Sequence, residues 1–165
     1  MFPLIPTGLQ TYFERLEAHP LSEAIRQSVW FYAVDQALHL VALAVFAGAV
    51  LIVDLRLLGS GARRQPLAQV ARDAQPWLIG GFVGLLVTGI PQLMSTATKE
   101  FYSPLFWIKM EVLVVAILFT LTIRYKITMA DEARLGPVWP KIVGLISIAL
   151  WLGVAIPARL IGLLS

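Results

Sequence analysis

Asp35 and His39 are the residues whose types and spacing carry the most chemistry in this chain. They stand four apart inside a long apolar run from Trp30 to Gly59, WFYAVDQALHLVALAVFAGAVLIVDLRLLG. On a helix, positions i and i+4 share a face. A carboxylate that accepts from one imidazole nitrogen fixes the tautomer and leaves the other nitrogen free as a ligand or base. This is the arrangement found behind a metal- or haem-bound histidine. The plain alternative is a membrane histidine that hydrogen-bonds to Asp35 or to a neighbouring helix and binds nothing.

Other catalytic patterns are missing. The chain has no cysteine, which excludes disulfides, zinc thiolates and iron–sulfur clusters. No Ser–His–Asp set, carboxylate pair or His-x-x-x-His spacing occurs. His19 stands before Pro20 and reads as a solvated turn residue. The chain is therefore not expected to be an enzyme on its own.

The elements that position Asp35 and His39 follow from composition. Of the 165 residues 58% are hydrophobic and only 14% charged, and soluble domains carry about 25% charge. So few charges leave too little polar surface to cover a water-soluble fold, and the long apolar runs point to an integral membrane protein. The expected fold is all-α: a four-helix transmembrane bundle over residues 30–165, preceded by an amphipathic interfacial segment over residues 1–29. The spans are expected at about 30–55, 77–94, 105–125 and 138–164, each long enough for a bilayer core of roughly 30 Å. In the N-terminal segment, Leu9, Tyr12, Phe13 and Leu16 recur on one helical face, with Pro6 and Thr7 as its start and His19-Pro20 as its stop. Ser22 is then placed to cap a helix leading into the first span. Residues 60–76 read as a polar loop with a helical turn or two at Leu67, Val70 and Ala71. Pro91 should kink the second span.

Depth along these spans gathers the polar residues. Counted from the termini-side boundary at 1.5 Å per residue, Asp35 lies about 8 Å in and His39 about 13 Å, with Gln92 and Thr88 at about 8 and 14 Å. Lys109, Glu111 and Arg159 lie at about 6, 9 and 6 Å. All four spans contribute to this one layer, which reads as a binding site or as a hydrogen-bonded belt that fixes helix order. Lys109 and Arg159 also read as snorkelling side chains, or as partners for Glu111, Asp35 or haem propionates. Gly80, Gly84 and Thr88 follow one another at one-turn spacing and mark a face for close helix packing, within the bundle or in a dimer. Asp54 and Arg56 stand two apart, do not face each other, and are expected to pair with loops or helix ends at the far interface.

The basic residues bear on orientation. The loops after spans one and three hold Arg56, Arg63, Arg64, Arg72, Arg124, Lys126, Arg134 and Lys141, against Arg15, Arg26, Lys99, Lys109 and Arg159 on the termini side. The positive-inside rule then puts both termini outside, periplasmic in a Gram-negative bacterium. No basic patch interleaves with aromatics, so nucleic acid is not an expected partner.

Trp30–Leu40 (WFYAVDQALHL), Gly48 and Asp54–Gly59 (DLRLLG) resemble the signature of a family of small, uncharacterised bacterial four-span membrane proteins, loosely akin to CopD-like copper-resistance and cytochrome b-like proteins. Pro76-Trp77, Gly89, Phe106-Trp107, Lys109 and the stretch from Trp151 to Arg159 are similar to its later spans. The chain departs from that pattern with Ala33 in place of a proline and Ala158 before Arg159. The resemblance implies a multi-pass inner-membrane protein and keeps attention on His39.

Three functions follow as expectations. The first is a redox membrane subunit with haem b or a quinone around His39, with Asp35, Gln92, Lys109, Glu111 and Arg159 about it and His39 as the metal ligand. The spans hold one histidine, so a symmetric homo-dimer or a partner subunit would complete a six-coordinate haem. The second is a non-enzymatic accessory subunit of a larger membrane complex. The third is a small ion or metal transporter with a relay through Asp35, His39 and Glu111.

Overall fold

The computed structural model describes residues 7–60, 64–130, 136 and 138–164. Arg63, Arg134 and Pro6, which entered the loop-charge and helix-start expectations, lie outside the described residues. The elements are α1 (Thr7–Glu17), α2 (Pro20–Gln27), α3 (Val29–Leu57), α4 (Leu67–Ser95), α5 (Ala97–Tyr102), α6 (Pro104–Met129) and α7 (Val138–Leu164). No strand occurs among the described residues. Helices α3, α4, α6 and α7 are each long and apolar enough to cross a bilayer. Their outward faces carry large apolar side chains: Leu40 is 57% exposed, Val87 64% and Leu121 67%. In water such faces would aggregate, whereas hydrocarbon solvates them. The chain is thus a membrane-spanning all-α bundle.

The four spans alternate in direction, so α1, α2 and α5 share the end that also holds both termini. Helix α3 packs chiefly on α4 and next on α7, and α6 packs chiefly on α7. The order across the bundle is α4, α3, α7, α6. Helix α4 meets α6 mainly through the last turn of α6, Tyr125–Met129. The bundle is therefore tied together most firmly at the end away from the termini. Val53, Leu57, Leu67, Val70, Ala74 and Val143 form the buried apolar core there, with Phe119 and Ile127 against it.

Two spans run past their expected ends. Helix α4 begins at Leu67 and continues through Pro76, so the headgroup turns expected at Leu67 and Val70 are its first turns. Leu67, Val70 and Ala74 fall on one face and bury it against α3, and that packing holds the segment helical. Helix α6 continues to Met129 through a π-turn at Thr120–Arg124. A π-turn inserts one residue into the helical register and re-aims the side chains after it. The span expected to stop at Tyr125 goes on because Arg124 is buried inside the bundle.

The N-terminal segment also differs in its capping. His19 caps α2: its Nδ1 accepts from the Leu21 N–H at 3.2 Å, and Pro20 takes the first helical position. Ser22 is fully buried and donates to the Leu16 carbonyl at 2.6 Å, so it pins α2 to α1 and does not cap. Ser28 caps α3 by accepting from the Phe31 N–H. Helix α1 turns Phe13 onto Phe101, Phe106 and Trp107, with ring centroids 5.2, 6.1 and 6.3 Å away. The apolar face expected to lie on lipid is thus partly spent on the termini-side ends of α5 and α6.

The DLRLLG box closes α3. Gly59 adopts a φ of +77°, its N–H bonds the Arg56 carbonyl at 3.0 Å, and the Ser60 N–H bonds the Leu55 carbonyl at 2.9 Å. This is a Schellman end, and a side chain other than glycine's is strained at that φ. Arg56 reaches across the following loop to the Gln65 carbonyl at 3.0 Å.

Candidate functional site

Helices α3 and α4 run antiparallel in one constant register, and the polar residues ride on it as rungs. At the termini end Gln92 Nε2 donates to Asp35 Oδ2 at 3.0 Å. One turn deeper His39 Nδ1 lies 2.7 Å from Thr88 Oγ1. Deeper again, a Cβ placed on Gly84 would meet the Ala42 methyl at 2.9 Å, and one on Gly81 would meet the Phe46 backbone at 2.7 Å. The missing side chains let the two backbones come close enough for the upper rungs to form. Asp35 is 8% exposed and Thr88 7%, while His39 is half-buried.

The second rung fixes the histidine tautomer. Thr88 Oγ1 donates its one proton to the Gly84 carbonyl at 2.7 Å, the usual back-bond of a helical threonine. Its oxygen is then the acceptor for His39 Nδ1–H, and the neutral ring keeps an unprotonated Nε2. The expectation that Asp35 would orient His39 is corrected here. Asp35 is bonded to Gln92, and Thr88 does the orienting. Both α3 residues face α4, so each meets the residue opposite rather than the one a turn away. Gly89 lies beside the ring, where a Cβ would stand 3.4 Å from Cε1.

The rest of the expected layer divides. Lys109 is half-buried on α6. Glu111 and Arg159 are exposed on the outside of α6 and α7, and among the described residues neither has a hydrogen bond or ion pair. Gly80 is exposed with no atom within 4 Å of its absent Cβ, so the close contact belongs to Gly81 and Gly84. No group of three metal-type ligands gathers among the described residues.

A second polar cluster, toward the end of the bundle away from the termini, is one that residue spacing does not assemble. Asp54 is fully buried and Arg124 is 5% exposed. Arg124 Nε donates to Asp54 Oδ1 at 2.8 Å and its Nη2 donates to the Val50 carbonyl at 3.1 Å. Ser147, also fully buried, donates to Asp54 Oδ2 at 2.7 Å. Helices α3, α6 and α7 meet at this point. Gly144, one turn before Ser147, makes room: its Cβ would meet the Asp54 carbonyl at 3.2 Å. The signal was present in an Asp and an Arg at the same depth on two spans, but the π-turn that aims Arg124 inward has no periodicity to betray it.

At the termini end, the Glu17 carboxylate accepts from the Thr98 N–H at 2.6 Å and lies 3.7 Å from Arg26. Hydrogen bonding from the Thr98 side chain leads in lowering its pKa below the usual 4.5, aided by the Thr98 N–H and by Arg26 and opposed by partial burial. Burial raises the Glu100 carboxyl above the usual value, against the pull of Lys109 and Lys99, and its Oε2 is buried without a partner.

A family model described as a family of unknown function (DUF6644) matches residues 12–164. No curated protein and no solved structure matches the chain.

Proposed function

The chain belongs to the DUF6644 family, whose function is unknown, so its role is read from the bundle itself, and we propose a membrane-embedded redox subunit with its site around His39. One observation carries the reading: His39 Nδ1 lies 2.7 Å from Thr88 Oγ1, whose own proton goes to the Gly84 carbonyl, an arrangement that favours a protonated Nδ1 and a free Nε2. A bare imidazole nitrogen accepts the hydroxyl of a quinol or coordinates the iron of haem b. Both ligands present a flat, largely apolar ring system. The Asp35–Gln92 rung beside it and the Lys109 charge suit the polar edge of either. Haem would be held by His39, the one histidine within the spans, and a second protein ligand would have to come from a partner. Loose kinship with cytochrome b-like proteins is part of the same reading.

The site lies in the half of the bilayer on the termini side. The Lys and Arg bias supports reading that half as the outer half of a bacterial plasma membrane, a bias that narrows by one because Arg124 is paired with Asp54. Assembly as a homo-dimer or within a larger complex completes the proposal.

The relay reading has less support in the bundle, and the accessory reading keeps part of its own. A relay through Asp35, His39 and Glu111 needs three groups in one file, and Glu111 is exposed on α6 with no side-chain hydrogen bond to either of the others among the described residues. An accessory subunit would dock through the Gly80/Gly84 face and the amphipathic N-terminal segment, of which Gly84 and Phe13 are engaged within the chain while Gly80 and Tyr12 stay exposed. The test is the cofactor content of protein purified from haem-supplied, quinone-containing membranes. A Soret band or extractable quinone that disappears in His39→Ala supports the site. The absence of both in the wild type, or their persistence in the variant, contradicts it.

A further inference from the structure

We propose that α6 and α7 form a self-association surface, on which Glu111 of one copy pairs with Arg159 of a second copy about a two-fold axis along the membrane normal. This names the surface for the homo-dimer above and does not depend on His39.

Glu111 lies seven residues into α6, about 10 Å from its start, and Arg159 five residues before the end of α7, about 7 Å from it. Charged side chains at such depth nearly always face a bundle interior or a partner. These two do neither among the described residues. Each stands in an apolar outward stripe, Glu111 with Val115 and Leu118, Arg159 with Ile156 and Leu152, all of them exposed. The other exposed charges on the long helices, Arg72, Asp73, Lys126 and Lys141, lie at the opposite end, within the first turns of α4 and α7 or the last turn of α6. The Glu111 side chain is too short to reach water by snorkelling from that depth, although Arg159 alone could do so.

The two charges are matched in depth as well as in sign. Gly153 of α7 lies against Val112, where its Cβ would meet Cγ1 at 3.1 Å. That register puts Arg159 about 7 Å nearer the termini end than Glu111. A helical Cβ tilts toward the N-terminus of its helix. Because α6 and α7 are antiparallel, Glu111 leans toward the termini end and Arg159 leans away from it, which closes the offset. A two-fold axis along the membrane normal preserves depth, so each interface carries the pair twice. A second copy satisfies both charges with no third component, whereas lipid leaves Glu111 unsatisfied.

The experiment measures particle mass in lipid nanodiscs for the wild type, Glu111→Arg, Arg159→Glu and the double exchange. The expected result is a wild-type dimer, monomers for each single reversal, and recovery of the dimer in the double exchange. Reversed charges can impair insertion, so Glu111→Gln and Arg159→Gln are run beside them; both insert without a charge and are expected to lose the dimer. His39→Ala keeps the dimer, which separates this proposal from the redox reading. A wild-type monomer, or a dimer equally present in every variant, overturns it.

Discussion

The Thr88 hydroxyl has one proton, and its destination decides what His39 can bind. With that proton on the Gly84 carbonyl, Nδ1 is the donor and Nε2 the open position. Thr88→Val keeps the shape and removes the acceptor. Residues that orient a ligating histidine typically contribute 10–100-fold to affinity, so about a tenfold weaker hold on haem or quinone is expected, with Thr88→Ser retaining it. Titration of the purified variants with either ligand checks this. Asp54 illustrates a different kind of polar burial. Its two oxygens are engaged by Arg124 and Ser147 with almost no exposure. Removing one partner of such a pair costs about 3–5 kcal/mol, because the other charge stays buried. Asp54→Ala should therefore be among the most damaging single changes, and Asp54→Leu with Arg124→Met should lose less. Thermal unfolding in detergent orders the variants.

Glycine spacing governs the α3–α4 contact, and adjacent glycines have opposite consequences. A methyl at Gly81 would stand 2.7–2.8 Å from Phe46 backbone atoms, which cannot move aside without separating the helices. A methyl at Gly80 meets nothing within 4 Å. Gly81→Ala is expected to destabilise by about 1–3 kcal/mol, as overpacking does, and to weaken both polar rungs above it. Gly80→Ala is expected to leave stability within about 0.5 kcal/mol of the wild type. Thermal midpoints of the two variants decide the matter. Span count, span type and the fourth span's limits were legible because hydropathy reports burial in lipid directly. Which of two neighbouring glycines faces the partner was not, since the angle between 80, 81 and 84 depends on the partner's position. The helical course through Pro76 was hidden as well, because it rests on Leu67 and Val70 packing against α3 rather than on local propensity. His39 and its depth could be read from the chain. Its true partner could not, because one-turn spacing marks Asp35 as a neighbour while the rung geometry joins His39 to Thr88.

Across the whole molecule, the termini end carries a cap made of α1, α2 and α5, held by Phe13 among its aromatic neighbours and by Glu17 on Thr98. A carboxyl whose folded pKa lies below its usual 4.5 stabilises the fold above that value and loses the contribution as pH falls through the folded pKa. The Glu100 carboxyl, raised by burial, acts in the opposite direction: its strain is present above the raised value and is relieved as pH falls toward 4.5. Cap docking should therefore hold through mild acidification and loosen only below about pH 4.5. Hydrogen-exchange protection factors over residues 7–17 are expected to fall in that window, and Glu17→Gln should lose that protection at neutral pH already. The molecule then reads as a bundle clamped by Asp54–Arg124 at one end and capped at the other, with the His39 layer between the two. The most direct measurement is the haem and quinone content of wild-type protein against His39→Ala, both purified from haem-supplied, quinone-containing membranes. The account predicts a cofactor in the wild type that is lost with the imidazole, and equal content in the two proteins, including none in either, would contradict it.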